Sequence, residues 1–149
     1  MKLSKKAEYA LRALVAMGRD ASGRTFSIQE VASSEKIPLK FLEQILLQLK
    51  NGGVLRSKRG VGGGYQFARP VQHISIGDVL EIIDGPAELM SCSAHVEKAS
   101  ACECGVPGAC ALGRTFYVLR QQMQKWLRET SIAQIIEKEG AQSGMVFDI

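Results

Sequence analysis

Every cysteine of the chain falls within one stretch, CSAHVEKASACECGVPGAC, running from Cys92 to Cys110 with Cys102 and Cys104 between them. Thiols gathered on a weakly apolar, glycine-containing segment can close a disulfide, hold a metal or an iron–sulfur cluster, or act as a redox switch. Tetrahedral zinc would accept these sulfurs, but its usual closely paired cysteine knuckles are absent. A thiol oxidoreductase or a cluster carrier is the competing class. Against it stand the lack of a Cys-x-x-Cys at a helix start, which would lower a thiol pKa, and the lack of a paired acid and base in a pocket-forming context. No enzyme is expected.

The choice depends on what must position that stretch. A chain of 149 residues with 46% hydrophobic content is about one domain and can bury a core without covalent staples. The basic N-terminal segment MKLSKKAEYALRALVAMG is interrupted by Glu8 and Arg12, and no apolar run reaches the length of a bilayer. A cytoplasmic protein is expected, and in a reducing compartment clustered cysteines favour metal binding or redox chemistry over structural bridges. The net charge of +4 conceals an asymmetry. Residues 1–70 carry 13 Lys or Arg against 5 Asp or Glu, whereas residues 71–149 carry 6 against 10. A basic half joined to an acidic half suggests that the first meets a polyanion.

The elements agree with that division. Ser4 can cap a first helix whose Ala7, Ala10, Leu11, Leu14 and Val15 recur at helical spacing up to Gly18. Ser27 and Glu30 are spaced for a capping box and Phe26 and Val31 for a hydrophobic staple, so a short second helix should run to about Lys36. Pro38 suits the first position of a third helix with an apolar stripe of Leu42, Ile45, Leu46 and Leu49, which Asn51-Gly52-Gly53 stops. The pair reads as helix-turn-helix. VLRSKRGVGGGYQFARP then alternates about a glycine-rich turn carrying Arg56, Lys58 and Arg59, a hairpin with a basic tip. No Lys-Ser or Lys-Thr follows those glycines, which argues against a nucleotide loop. The expected fold is therefore mainly α with a small β-hairpin wing, a winged helix-turn-helix followed by a long helix.

Ser75 and Asp78 form a further capping box ahead of Ile76, Val79, Leu80 and Ile83. Beyond the cysteines, Leu112, Phe116, Leu119, Met123 and Trp126 recur at alternating steps of four and three, an apolar seam on a long helix whose other faces carry Arg114, Arg120, Lys125 and Arg128. Such a helix outside a winged-helix unit is expected to be the arm of a homodimer. The expected organisation is a DNA-binding domain over 1–85, a cysteine-rich sensor loop over 86–110, dimerisation and C-terminal helices over 111–139, and a tail over 140–149.

These segments resemble a known family. MKLSKKAEYAL, PLKFLEQILLQLKNGGVLRSKRGVGGGY, ISIGDVLEIIDG and a cysteine loop followed by a long helix are similar, over nearly the whole chain, to the Rrf2 family of bacterial winged-helix transcription regulators, in its IscR- and NsrR-like branches. The resemblance implies a homodimer binding a double-stranded DNA operator, often with an iron–sulfur cluster in the loop before the dimerisation helix. It places the recognition helix at Pro38–Lys50, the base-reading positions at Lys40, Phe41, Glu43 and Gln44, and a minor-groove arginine at Arg59. Side-chain chemistry agrees: Gln can pair with adenine, Glu can accept from cytosine, and Lys favours guanine or phosphate. Lys58 is expected to contact phosphate. Phe41 flanks the buried stripe, so core packing competes with base reading there.

The resemblance also implies cluster ligands at Cys92, Cys104 and Cys110, and here the chain departs from the family pattern. Cys104 and Cys110 keep the usual five-residue gap, but Cys92 lies further upstream, and Gly113 stands where the IscR branch has a histidine ligand. The fourth ligand is open among Cys102, His95 and Glu8, the last by analogy with relatives in which the partner subunit's first helix supplies an acid. Spacing does not distinguish a 2Fe-2S from a 4Fe-4S cluster, and zinc or a purely thiol-based switch remain alternatives.

Overall fold

The computed structural model describes residues 3–20, 23–86 and 111–145, in the order α1 (Lys5–Gly18), α2 (Ile28–Glu35), α3 (Leu39–Asn51), β1 (Leu55–Lys58), β2 (Gly64–Phe67), α4 (Ile76–Asp84), α5 (Ala111–Glu129) and α6 (Ile132–Met145). It is a mainly helical fold with one antiparallel hairpin.

Local rules account for most of these boundaries. The Ser4 hydroxyl accepts from the Ala7 amide at 3.0 Å, starting α1, whose buried Ala7, Ala10 and Ala13 present so little side chain that other helices pack close against it. Helices α2, α3, α4 and α6 all do so. Ser27 caps α2 through the Glu30 amide at 3.1 Å, with Phe26 and Val31 both buried. Only half of the expected capping box forms, because the Glu30 carboxylate is taken by Arg24 at 2.6 Å. Lys36 ends α2 in the left-handed region at φ 52°. Pro38 sits one residue before its expected place, as the N-cap of α3 rather than its first helical residue.

The hairpin pairs Leu55 with Phe67 through Lys58 with Gly64, leaving residues 59–63 as the tip. Phe26 bridges Tyr65 on the outer side of β2, with N–H···O distances of 2.8 and 2.9 Å. Gly64 makes that bridge possible: its φ is 154°, and a Cβ there would strike the Phe26 carbonyl. At α4 both halves of the Ser75–Asp78 capping box are present.

The end of the chain folds back on the core. α6 does not extend the α5 arm but turns back onto α1, with Ile132 fully buried and Ile135 and Ile136 packed against the same core as Leu14, Leu42 and Leu49. Backbone hydrogen bonds fasten the turn: Ile76 N–H to the Thr130 carbonyl at 2.9 Å and Ile132 N–H to the Ile74 carbonyl at 2.8 Å. Ser131 and Gln134 cap α6 reciprocally, at 3.2 and 2.8 Å. The helix continues through Gly140 to Met145, into the segment expected to be a tail.

Candidate nucleic-acid interface

Helix α3 is divided by its sequence into two faces. Leu42, Ile45, Leu46 and Leu49 are buried against α1, α4 and β1, which fixes the helix's rotation about its axis. Lys40, Glu43 and Gln44 are thereby held exposed on the other face, joined there by Leu47 at 47% exposure. Phe41 is different. It is half-buried and meets the Tyr9 ring edge-on, with centroids 5.8 Å apart and planes at 83°, so its described contact is to α1.

The wing stands next in the chain. Lys58 closes β1 and Arg59 opens the tip, both exposed, and Gly60 and Gly62 adopt positive φ that other residues rarely take. Arg56 lies on the same face of β1 as Lys58, two residues away.

Several arginines outside α3 and the wing are held in ion pairs. Arg12 pairs with Glu35 at 3.5 Å, Arg19 with Glu139 at 2.9 Å, Arg24 with Asp20 and Glu30 at 2.6 Å each, and Arg69 with Asp78 at 2.9 Å. Among the described residues, Lys40, Lys50, Arg56, Lys58 and Arg59 have no ion-pair partner. The cations of α3 and the wing are thus left for an external anion, and a polyanion binds such a surface by releasing its condensed counterions.

Of the metal-ligand candidates only Glu8 lies within the described residues; Cys92, His95, Cys102, Cys104 and Cys110 lie outside them. The Glu8 carboxylate receives a hydrogen bond from Lys5 Nζ at 2.9 Å, which holds its pKa below the usual carboxylate range, and it is partly exposed. It is an ionised oxygen donor, at which a metal would compete with Lys5. One turn before it, the Ser4 hydroxyl donates to the Asp84 carboxylate at 2.6 Å. The start of α1 is thereby tied to the end of α4, shortly before the chain enters the cysteine segment. Among the described residues no three His, Cys, Asp or Glu side chains form a metal-binding group. No helix among them is long and apolar enough to cross a membrane.

On α5 the apolar seam faces outward: Leu112, Leu119 and Trp126 are exposed at 56%, 50% and 56%, and Phe116 and Met123 are half-covered. Val118, outside the four-three pattern, is also exposed, so the apolar surface is wider than the spacing alone implied.

Comparison with known proteins agrees with this architecture. Residues 3–138 match the Rrf2 family model, described as iron-dependent transcriptional regulator. The chain is 39% identical over 136 residues to Rv1287 of Mycobacterium tuberculosis, named as an HTH-type transcriptional regulator, covering 91% of this chain and 81% of that one. It is 31% identical over 144 residues to the HTH-type transcriptional regulator IscR of Cereibacter sphaeroides, covering 93% and 89% of the two chains. Among solved structures, the global cysteine regulator CymR of B. subtilis superposes with a TM-score of 0.74 at 20% identity, over 93% of this chain and 98% of that one, a likeness of fold. CymR of Staphylococcus aureus in an oxidized form gives 0.70 at 25% identity, over 92% and 97%. Matched over residues 3–138 by the family model and at 39% identity by a named transcriptional regulator, the chain belongs to the Rrf2 family of transcriptional regulators.

Proposed function

We propose that the chain acts in the cytoplasm as a homodimer, paired through the α5 seam, that reads a two-fold symmetric operator with α3 and the wing. The observation that carries this reading is the cation set of α3 and the wing, which has no ion-pair partner among the described residues, whereas Arg12, Arg19 and Arg24 each have one. Gln44, Glu43 and Lys40 contact base edges, Lys58 contacts phosphate, and Arg59 enters a minor groove. A two-fold dimer presents two such faces to half-sites related by the same symmetry. The test is retention of a symmetric duplex selected from random sequence: binding should be specific and should weaken steeply as salt rises. Equal affinity for selected and random duplex would refute sequence reading.

The same reading assigns the sensing step to Cys92, Cys104 and Cys110, with the fourth ligand from Cys102 or from Glu8 across the dimer, holding an iron–sulfur cluster. The iron-dependent description of the family and the likeness to IscR support it. A cluster supplies a centre sensitive to oxidants, iron supply and nitric oxide; the chain's part is to hold it through thiolates and to couple the loop to the winged helix. Protein prepared without oxygen should carry iron and sulfide and lose its visible absorbance on Cys92→Ala, Cys104→Ala or Cys110→Ala. Cys102→Ala and Glu8→Ala decide the fourth ligand. Stoichiometric zinc, or no metal, would overturn the cluster while leaving the regulator intact. A thiol switch is the second reading, favoured by the likeness to a CymR solved in an oxidized form.

A further inference from the structure

At the base of the wing a cleft of about 280 Å³ is lined by three arginines, Arg24, Arg56 and Arg69, together with Phe26, Gln66 and Gln72. No carboxylate lines it. The acids that engage these arginines, Asp20, Glu30 and Asp78, are outside its lining and orient the side chains: Arg24 is gripped at Nε and Nη2 while stacked 4.1 Å above the Phe26 ring, and Arg69 is gripped at Nη2. With the Gln66 carboxamide assigned so that its oxygen rather than its nitrogen faces Arg56, that oxygen accepts from Nε at 2.6 Å and Nη2 at 3.0 Å, positioning the group without neutralising it. Arg69 Nε is buried with no hydrogen-bond partner among the described residues, a donor that costs free energy until an acceptor reaches it. The Phe26–Tyr65 bridge brings the loop carrying Arg24 beside Arg56 of the wing and Arg69 just beyond it.

We propose that this cleft is a phosphate site, and that its occupant is a backbone phosphate of bound DNA beside the groove the wing enters. Arg56, which has no ion-pair partner among the described residues, offers a planar, multiply donating fork suited to phosphate oxygens, with the ion-paired Arg24 and Arg69 beside it. The DNA backbone is favoured as the source because Arg56 shares a strand face with Lys58, so the cleft continues the cationic row that leads to Arg59 at the tip. The inference rests on the DNA-binding reading above and extends its contacts beyond the recognition helix and wing tip. Arg56 acts here as an anchor common to all sequences and carries no base discrimination.

The test measures affinity against salt for the full-length protein on selected and random duplexes. Arg56→Ala should weaken both equally and lower the slope of log affinity against log salt by about one, with Arg56→Lys restoring most of it. Replacing single backbone phosphates by neutral methylphosphonates should reveal one position whose neutralisation weakens the wild type but not Arg56→Ala. Arg24→Ala provides a second variant from a different element and should lower the slope in the same direction. Gln44→Ala, affecting only the selected duplex, keeps the base-reading claim separate. A wild-type slope in both arginine variants, with Gln44→Ala still selective, overturns the phosphate site alone. If inorganic phosphate raises the melting temperature of the wild type but not of Arg56→Ala, while the slope is unchanged, the site takes a free phosphate and the backbone assignment falls. Absence of salt-dependent DNA binding by the wild type would overturn both.

Discussion

Helices α3 and α5 carry the same kind of apolar seam, residues recurring at threes and fours, yet the fold treats them in opposite ways. On α3 the seam is fully covered by α1, α4 and β1, and what faces outward is Lys40, Glu43 and Gln44. On α5, which packs on α4, three of the five seam residues are at least half exposed. A period identifies a face; only the neighbouring elements determine what covers it. The outward face of α3 offers charge and hydrogen bonds to a hydrated polyanion, whereas that of α5 offers hydrocarbon, which water penalises by about 25 cal/mol for each Å² left uncovered. The proposed function assigns one helix to nucleic acid and the other to a second copy of the chain.

The sharpest way to break this contrast is to charge the α5 seam. Leu119→Glu combined with Met123→Glu should give monomers in sedimentation and lose on the order of 10²–10⁴-fold in operator affinity, because linked half-site binding is lost. Persistence of the dimer would mean that the seam is covered by its own chain. Truncating the equivalent stripe of α3 should act on folding: Leu46→Ala is expected to cost about 2–5 kcal/mol in chemical denaturation, and a cost near zero would contradict its burial. On the opposite face of α3, Gln44→Ala should leave melting unchanged and cost about 1–3 kcal/mol on the selected duplex only. The smallest effect belongs to the wing: Lys58→Ala should weaken all sequences alike and lower the salt slope by about one. A selective loss from Lys58→Ala would move it from phosphate contact to base reading.

The short-range parts of this structure were legible in the sequence because their causes are short-range. Ser4, Ser27 and Ser75 each cap the helix that follows, and the glycines after Arg59 turn the wing as expected. Ser131 with Gln134 has the same signature and could have marked the start of α6. Long-range relations were not legible. Ile132 and Ile136 look no different from the α5 seam until α1 is seen beneath them, with Gly18 leaving room for Ile136. Phe26 reads as a staple, and it is one, but its backbone also pairs with Tyr65 some forty residues away, a partner no local pattern identifies. The Glu30 carboxylate had a local partner available and took Arg24 instead. For the reading face, residue types and their rotation about α3 could be read in advance, but the assembly of Arg24, Arg56 and Arg69 could not.

The return of α6 to α1 bears on the order in which the protein is made. Synthesis runs from the N-terminus, and contacts between distant residues must wait for the chain between them. The winged-helix core receives Ile132 only after the four cysteines and the whole of α5 have been translated. The helical core is therefore completed late, after α4, the cysteine segment and α5, which all lie between the bridged residues Ser75 and Ser131. The four cysteines are thus synthesised before the residue that closes the core.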